Sequence, residues 1–432
     1  MTYQEKHVRL LKEPAGGVPD LIDTRAEYDD FLQRFSSASG PIAVDAERAS
    51  GYRYSQQDWL IQFKREGAGI ALIDPVALSE QEMDWQDVNE AFGDAVWIMH
   101  DSSQDLPGYF DLGLKPAGLF DTERAARLLG QVRFGLAAVT ERYLDLTLAK
   151  ERSAADWSYR PLDRDMRIYA ALDVEVLIEL EGLMKKDLKK AGKWDWAQED
   201  FIYLLNKGKQ AKPLKEEPWR GISHINVIDR DLRGLAIARA LWTVRDRLAQ
   251  DNDIAPHLLL QDSAIIEAAQ RKPHNSQEFR RIRSLNQRVR VHKGDERDKM
   301  FERYAPIQRK VKPQVWKEAI FQALSLPYDQ LPKRRNENPE TGENAPKSLK
   351  YWRIHHPDRY ELLQSVRKFI TQVSEDTSTP TDIILKPKIV RNLCWHTDVD
   401  KTPAGIHAYL LKQGARAWQA DLLSESLSSV IM

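Results

Sequence analysis

Asp45 and Glu47, in the stretch "PIAVDAERASG" at residues 41–51, stand one residue apart at the end of an apolar run. The run from Pro41 to Val44 reads as a β-strand, and along a strand residues i and i+2 face the same way. Two carboxylates on one face repel each other, and burying either costs free energy. A divalent cation between them would remove the repulsion and use both as hard oxygen ligands. That reading calls for further carboxylates converging from elsewhere in the chain. One candidate is Asp105 in "VWIMHDSSQDLPGY", where a strand ends at His100 and Ser102 or Ser103 can cap a new helix. Asp105 would then sit in its first turn, favoured by the helix dipole. Taken alone, it reads as an ordinary helix-start acid. The other candidate is "YAALD", which places Tyr169 and Asp173 four apart, on one face of a helix. Val176, Leu177 and Leu180 continue that stripe, so Asp173 falls on an inward face where an unpaired carboxylate is costly. The bland alternative is a stripe that rotates and leaves Asp173 at a rim.

The elements that would carry these residues divide the chain. Residues 1–206 read as α/β, with strands in "PIAVDAE", in a hairpin "WLIQFKREGAGIALIDP" turning at 66–69, and in "AVWIMH". "DTERAARLLG" offers Asp121 as an N-cap and Gly130 as a stop, and "PLDRDMRIYAALDVEVLIELEGLMKKDLKKAG" reads as one long amphipathic helix. Strands followed by helices predict a mixed sheet with helices packed on it. Residues 207–222, polar and twice interrupted by proline, read as a linker. Residues 223–312 and 313–432 read as two small all-helical domains, with a Pro-, Asn- and Glu-rich break at 328–348 expected to be mobile. "DIAPHLLLQDSAIIEAA" (253–269) and "DIILKPKIVRNLCW" (382–395) each lead from Asp-Ile through a short apolar stretch into a helix, which suggests two copies of one module.

Composition excludes several classes. The chain has 432 residues, a net charge of −1 and a single cysteine, Cys394, so an internal disulfide or a cysteine zinc cluster is ruled out. No apolar run is long enough to span a bilayer, and the N-terminus has no apolar signal core, so a cytoplasmic, non-membrane protein is expected. A monomer is the expected state. Charge is unevenly spread. Residues 1–120 carry 21 Asp and Glu against 10 Lys and Arg, whereas residues 271–312 carry 14 Lys and Arg against 5 Asp and Glu. The acidic block suits cations and the basic block suits a polyanion, although each also reads as a solvated helix surface.

In this order and spacing the residues resemble the DEDD exonucleases of the tyrosine subclass, and the ribonuclease D family in particular. Asp45 and Glu47 match the first motif, Asp105 the second, and Tyr169 with Asp173 the third. The phrases "VDAE", "WLIQF", "ALIDP", "MHDSSQDL", "FDTERAARLLG", "ADWSYRPL" and "YAALDVEVL" follow that family's order across roughly residues 40–190. The middle segment resembles the helicase-and-RNase-D (HRDC) domain, and the last segment a diverged second copy. The resemblance implies a ribonuclease H-like α/β fold with two Mg²⁺ or Mn²⁺ ions roughly 3.5–4 Å apart over the scissile phosphate. It implies Asp45 bridging both ions, Glu47 and Asp173 completing the site of the nucleophilic water, and Asp105 acting on the second ion. Tyr169, with an ordinary pKa of about 10, would orient the water rather than deprotonate it. The implied reaction is 3′→5′ hydrolysis of single-stranded RNA ends to 5′ nucleotides, with trimming of transfer RNA precursors as the leading substrate. A DNA exonuclease of the Werner or proofreading kind, or a relic that only binds nucleic acid, are the rival readings.

Two departures stand out. Position 46 is Ala where the family often has a larger residue, its backbone being expected to contact the terminal nucleotide, and Arg48 stands where an aromatic is common. Candidate nucleic-acid contacts are Ala46, Tyr52, Tyr54, His100, Arg160, Arg280, Arg281 and Arg283. For Tyr52 and Tyr54 packing is the alternative, for His100 support of the core, and for Arg160 capping of the next helix. Neutralising Arg280, Arg281 and Arg283 together is expected to weaken RNA binding and flatten its dependence on salt; an unchanged slope in a filter-binding titration would mark them as a solvated face.

Overall fold

Ile42, Ala43 and Val44 are fully buried because the strand they open lies in the middle of a sheet. The computed structural model describes residues 8–81, 83–149, 155–211, 215–289, 295–334 and 344–432, with backbone alone for 295–302. Its strands are β1 (Arg9–Leu11), β2 (Leu21–Ile22), β3 (Ile42–Arg48), β4 (Asp58–Arg65), β5 (Gly69–Ile73), β6 (Val96–Met99), β7 (Gly118–Asp121) and β8 (Leu146–Leu148). Six of them form one sheet in the order β2-β5-β4-β3-β6-β7, and β1 pairs with β8 apart from it. β3 runs antiparallel to β4 and parallel to β6, so the sheet is mixed, as expected. The turn between β4 and β5 falls in the 66–69 hairpin read from the sequence.

Each face of the sheet is covered by a helix whose apolar spacing matches it. On one face Phe31 and Phe35, from α1 (Arg25–Ser37), pack with Phe63, Phe92 and Trp97; the rings of Phe31 and Phe63 lie 5.9 Å apart. Further along the chain come α2 (Leu106–Asp111), α3 (Thr122–Leu128) and α4 (Arg164–Glu175). Ala170, Ala171 and Met166 of α4 cover the other face, against Leu60 and Leu72. In β4, Leu60, Gln62 and Lys64 pair with Glu47, Asp45 and Ala43, so that face also bears the two carboxylates.

The single long helix expected from residue 161 onward is in fact two, α4 and α5 (Leu177–Lys190), broken at Val176. The cause is long-range. Lys64 donates its Nζ–H to the Glu175 carbonyl at 2.6 Å and pairs with the Glu175 carboxylate at 3.0 Å, drawing the last turn of α4 onto β4. The exonuclease half closes with α6 (Trp194–Gly208).

The middle segment is helical: α7 (Leu232–Asp251), α8 (Pro256–Leu259), α9 (Asp262–Arg271), α10 (Asp295–Lys310) and α11 (Pro313–Ser325). Trp316, Ile320 and Leu331 join Leu235, Leu241, Ile265 and Ile282 in its core. The boundary expected at 312 is therefore too early, since α11 buries its apolar stripe in this unit. The last segment contains α12 (Pro357–Thr377), α13 (Thr381–Ile384), α14 (Pro387–Trp395) and α15 (Ala417–Ile431). In both segments a long helix is followed by a four-residue helix, then a leucine in extended backbone, then another helix. The leucines are Leu260, at φ −156° and ψ 123°, and Leu385, at φ −157° and ψ 127°. The segment 328–348, expected to be mobile, lies partly outside the described residues. No helix among the described residues is long and apolar enough to cross a membrane.

The last segment shares a continuous core with the exonuclease half. Trp418 stacks on Trp196 at 4.4 Å, and Arg416 donates from Nε to Asp200 at 2.5 Å. Lys193 is 7% exposed and donates to the carbonyls of Leu128 and Ser378 and to Oγ1 of Thr379. Replacing Lys193 with Met should remove the donor that these buried acceptors share, at a cost of about 1–3 kcal/mol. A lowered urea midpoint and earlier proteolytic release of the last segment are the expected readouts.

Candidate active site

Strand alternation sets the first pair. Asp45 and Glu47 leave β3 on the face covered by α4, and Asp173, in the last turns of α4, comes down on them. One oxygen from each of Asp45, Glu47 and Asp173 lies within 4.8 Å of the others, a grouping able to hold a metal ion. The arrangement is electrostatically tense. Burial first, then mutual repulsion, holds Asp45 and Glu47 well above the usual carboxylate range; Asp173 is the main repelling charge on Asp45, and Asp45 on Glu47. The backbone N–H of Ala46 donates to Asp45 and offsets part of this. Gln62, opposite Asp45 on β4, is fully buried, and among the described residues its amide has no hydrogen-bond partner.

Tyr169 lies one turn before Asp173 and its hydroxyl donates to that carboxylate. Burial and the three acids raise its pKa far above the ordinary tyrosine value, so it stays protonated and serves as a donor.

Asp105 is itself the N-cap of α2 rather than a residue of its first turn, because Ser102 is engaged elsewhere. The Ser102 N–H and O–H both donate to Asp121, at 2.8 and 2.6 Å. The Asp105 carboxylate makes no capping bond and turns to Arg48, whose Nη2 lies 2.9 Å from its Oδ1. Burial and the charge of Asp45 still raise its pKa, with Arg48 pulling the other way.

Arg48 also pairs through Nε with Oδ1 of Asp58 at 2.9 Å. A β-bulge produces this contact. Glu47 pairs with Leu60, but Arg48 pairs with Asp58, so β4 carries one extra residue, Trp59. Asp58 is 3% exposed, and burial lifts its pKa to about 6. Gly108 of α2 makes room for it, since a Cβ there would stand 2.5 Å from Asp58 Oδ2. Arg48 entered the sequence reading only as a departure, and Asp58 not at all; the pairing depends on the bulge, which leaves no mark in local spacing.

Four of the remaining candidates, Tyr52, Tyr54, Arg160 and His100, have internal roles. Tyr52 and Tyr54 do not stand free to stack on bases. They pack with Ile254, Leu258, Leu259 and Tyr304 of the middle segment, and the Tyr54 hydroxyl donates to Asp246 at 3.2 Å. Arg160 is committed to Asp74 at 2.5 Å and to the carbonyls of Trp59 and Trp157, which ties the α4 approach to the sheet. His100 lies 2.8 Å from Thr122 Oγ1, and burial lowers its pKa, so it braces the β6 end. Arg280, Arg281 and Arg283 are exposed on the middle segment.

Three family models match parts of the chain. A family model described as 3′-5′ exonuclease matches residues 19–189, one described as HRDC domain matches 234–296, and one described as 3′ to 5′ exonuclease C-terminal domain matches 345–431. The chain is thus a DEDD-type 3′-5′ exonuclease carrying helical accessory modules. The ribonuclease D of Gluconacetobacter diazotrophicus is 30% identical over 287 residues, 64% of this chain and 70% of the relative. That of Escherichia coli is 24% identical over 395 residues, 90% and 92% of the two chains. A solved structure of a protein from Bifidobacterium adolescentis is 56% identical, with a TM-score of 0.92 over 98% of this chain and 99% of that one. Escherichia coli RNase D, an exoribonuclease involved in structured RNA processing, shares the fold at 21% identity, with a TM-score of 0.60 over 95% and 98% of the chains. The chain belongs to the ribonuclease D family.

Without divalent ions the raised carboxylates should penalise the fold. A raised acid contributes stability that is complete below its unfolded pKa and lost as pH rises through its folded pKa. Replacing Asp45 with Asn is therefore expected to stabilise the chain in EDTA at pH 7.5, by about 1–4 kcal/mol, with the gain shrinking towards pH 5. Thermal melts across that pH range check it.

Proposed function

We propose that the chain is a metal-dependent 3′→5′ exoribonuclease that removes 5′ nucleotides from single-stranded 3′ ends of structured RNAs, transfer RNA precursors being the leading candidate. The observation that carries this reading is the convergence of half-buried Asp45 and Asp173 on buried Glu47, with Asp105 electrostatically joined to them. With every carboxylate ionised, and counted with Asp58 and Arg48, these side chains would carry four uncompensated negative charges, which two divalent cations would cancel. Asp45, Glu47, Asp105 and Asp173 would hold Mg²⁺ or Mn²⁺, and the ions would supply an acidified water and charge stabilisation at the leaving 3′ oxygen.

The protein groups do the rest. Tyr169, kept protonated and donating to Asp173, would orient the attacking water through its hydroxyl oxygen, which can accept. The Ala46 backbone, next to Asp45, would contact the terminal nucleotide. The exposed arginines at 280, 281 and 283 offer phosphate contacts without sequence choice. We divide the chain into an exonuclease domain at 1–206, a linker at 207–222, a helical module running from 223 to about 331, and a last module that docks on the first domain. A monomer acting on cytoplasmic RNA fits this organisation.

RNA and DNA oligonucleotides with matched 3′ tails separate this reading from a DNA exonuclease, faster loss of DNA being the result that reverses it. Hydrolysis should vanish in EDTA and return with Mg²⁺ or Mn²⁺. Asp45→Ala should abolish it while leaving binding largely intact, and full activity in that variant would remove the assignment.

A further inference from the structure

Arg48 is a cation placed among the carboxylates that the proposed chemistry needs. It follows Glu47 directly, and the Trp59 bulge turns it towards Asp58 and Asp105. Its side chain is 19% exposed, that of Asp58 0% and that of Asp105 11%. Asp58 lies against Gly108, in the helix that Asp105 caps, so both partners of Arg48 belong to one small neighbourhood. Asp105 gives up its capping bonds for this contact and stays outside the grouping of Asp45, Glu47 and Asp173. Apart from Arg48, neither Asp58 oxygen has a partner among the described residues.

We propose that Arg48 is a built-in counter-cation for Asp105, which opposes the second divalent ion until nucleic acid is bound. The inference rests on the two-ion reading above. Its physical basis is charge. The ion held by Asp45, Glu47 and Asp173 meets three carboxylates, whereas the ion that needs Asp105 meets a carboxylate already half occupied by a guanidinium. A positive charge a few ångströms away in a poorly solvated site repels an incoming dication strongly. Asp58 keeps the guanidinium in place and offers it a second oxygen, so Arg48 can release Asp105 and form a two-armed pair with Asp58 instead. The scissile phosphate brings the negative charge that tips this exchange. The chain would thus hold one ion at rest and complete its site only on substrate.

Binding of Mn²⁺ to the full chain without RNA, by calorimetry and by electron paramagnetic resonance counts of bound ions, tests this. The wild type should bind one ion tightly and a second at least about tenfold more weakly. The double variant Arg48→Leu/Asp58→Asn removes both charges and strands neither; its second ion should tighten by about tenfold or more, with the first little changed. Arg48→Gln keeps a polar, uncharged group on a shorter side chain, and should shift the same way if the double variant folds poorly. A second ion of unchanged or weaker affinity in a folded variant overturns the inference, leaving Arg48 as an orienting partner of Asp105. A wild type that binds no Mn²⁺ at all would instead bring down the two-ion reading, and this inference with it.

Discussion

Placing Asp45 and Glu47 side by side on a central strand creates a repulsion that the sheet itself cannot relieve. The exonuclease half is organised around that constraint. α4 brings a third acid, Asp173, onto the pair, and Tyr169 gives it a hydrogen bond. Lys64 ties the end of α4 to β4, which fixes how far Asp173 descends. Arg160 ties the approach to α4 through Asp74. These contacts hold like charges together against their own field, and such strain is what a strongly bound cation would relieve.

The two accessory modules meet this half in different ways. The middle module touches the segment that follows β3. Asp253 accepts the backbone N–H groups of Tyr54 and Ser55, at 3.1 and 2.9 Å, and the Ala255 N–H donates to the Tyr52 carbonyl at 2.8 Å. Arg303 and Tyr304 meet Asp156 just before α4. Both strand and helix that carry the acids are therefore braced by the middle module. The last module grips α3 and α6 instead, where Arg127 pairs with Asp382 and Arg416 with Asp200.

Local periodicity made much of this legible. Strand alternation put Asp45 and Glu47 on one face, helical spacing put Tyr169 with Asp173, and Asp121 caps α3 as its position suggested, accepting the Arg124 N–H at 2.9 Å. What escaped notice depends on partners far away in sequence. The break at Val176 follows from Lys64, more than a hundred residues earlier. The Arg48–Asp58 pair follows from one extra residue in the opposing strand. The reach of the middle core to Leu331 follows from Trp316, whose burial no linker composition announces. Tyr52 and Tyr54 looked like exposed loop aromatics because their cover comes from a segment two hundred positions on.

Both modules use the corner after their long helix as a plug. In one, Asp253, at φ 42°, seats in the segment beyond β3; in the other, Ser378, at φ 48°, presents its carbonyl to Lys193 and abuts Gly130. The sockets differ in what lies behind them. A tug on the first runs through five residues of backbone to Arg48, whereas a tug on the second ends in the hydrophobic interior. The middle module is thus tied to the segment that follows the strand bearing the acids, and the last module to the core of the exonuclease half.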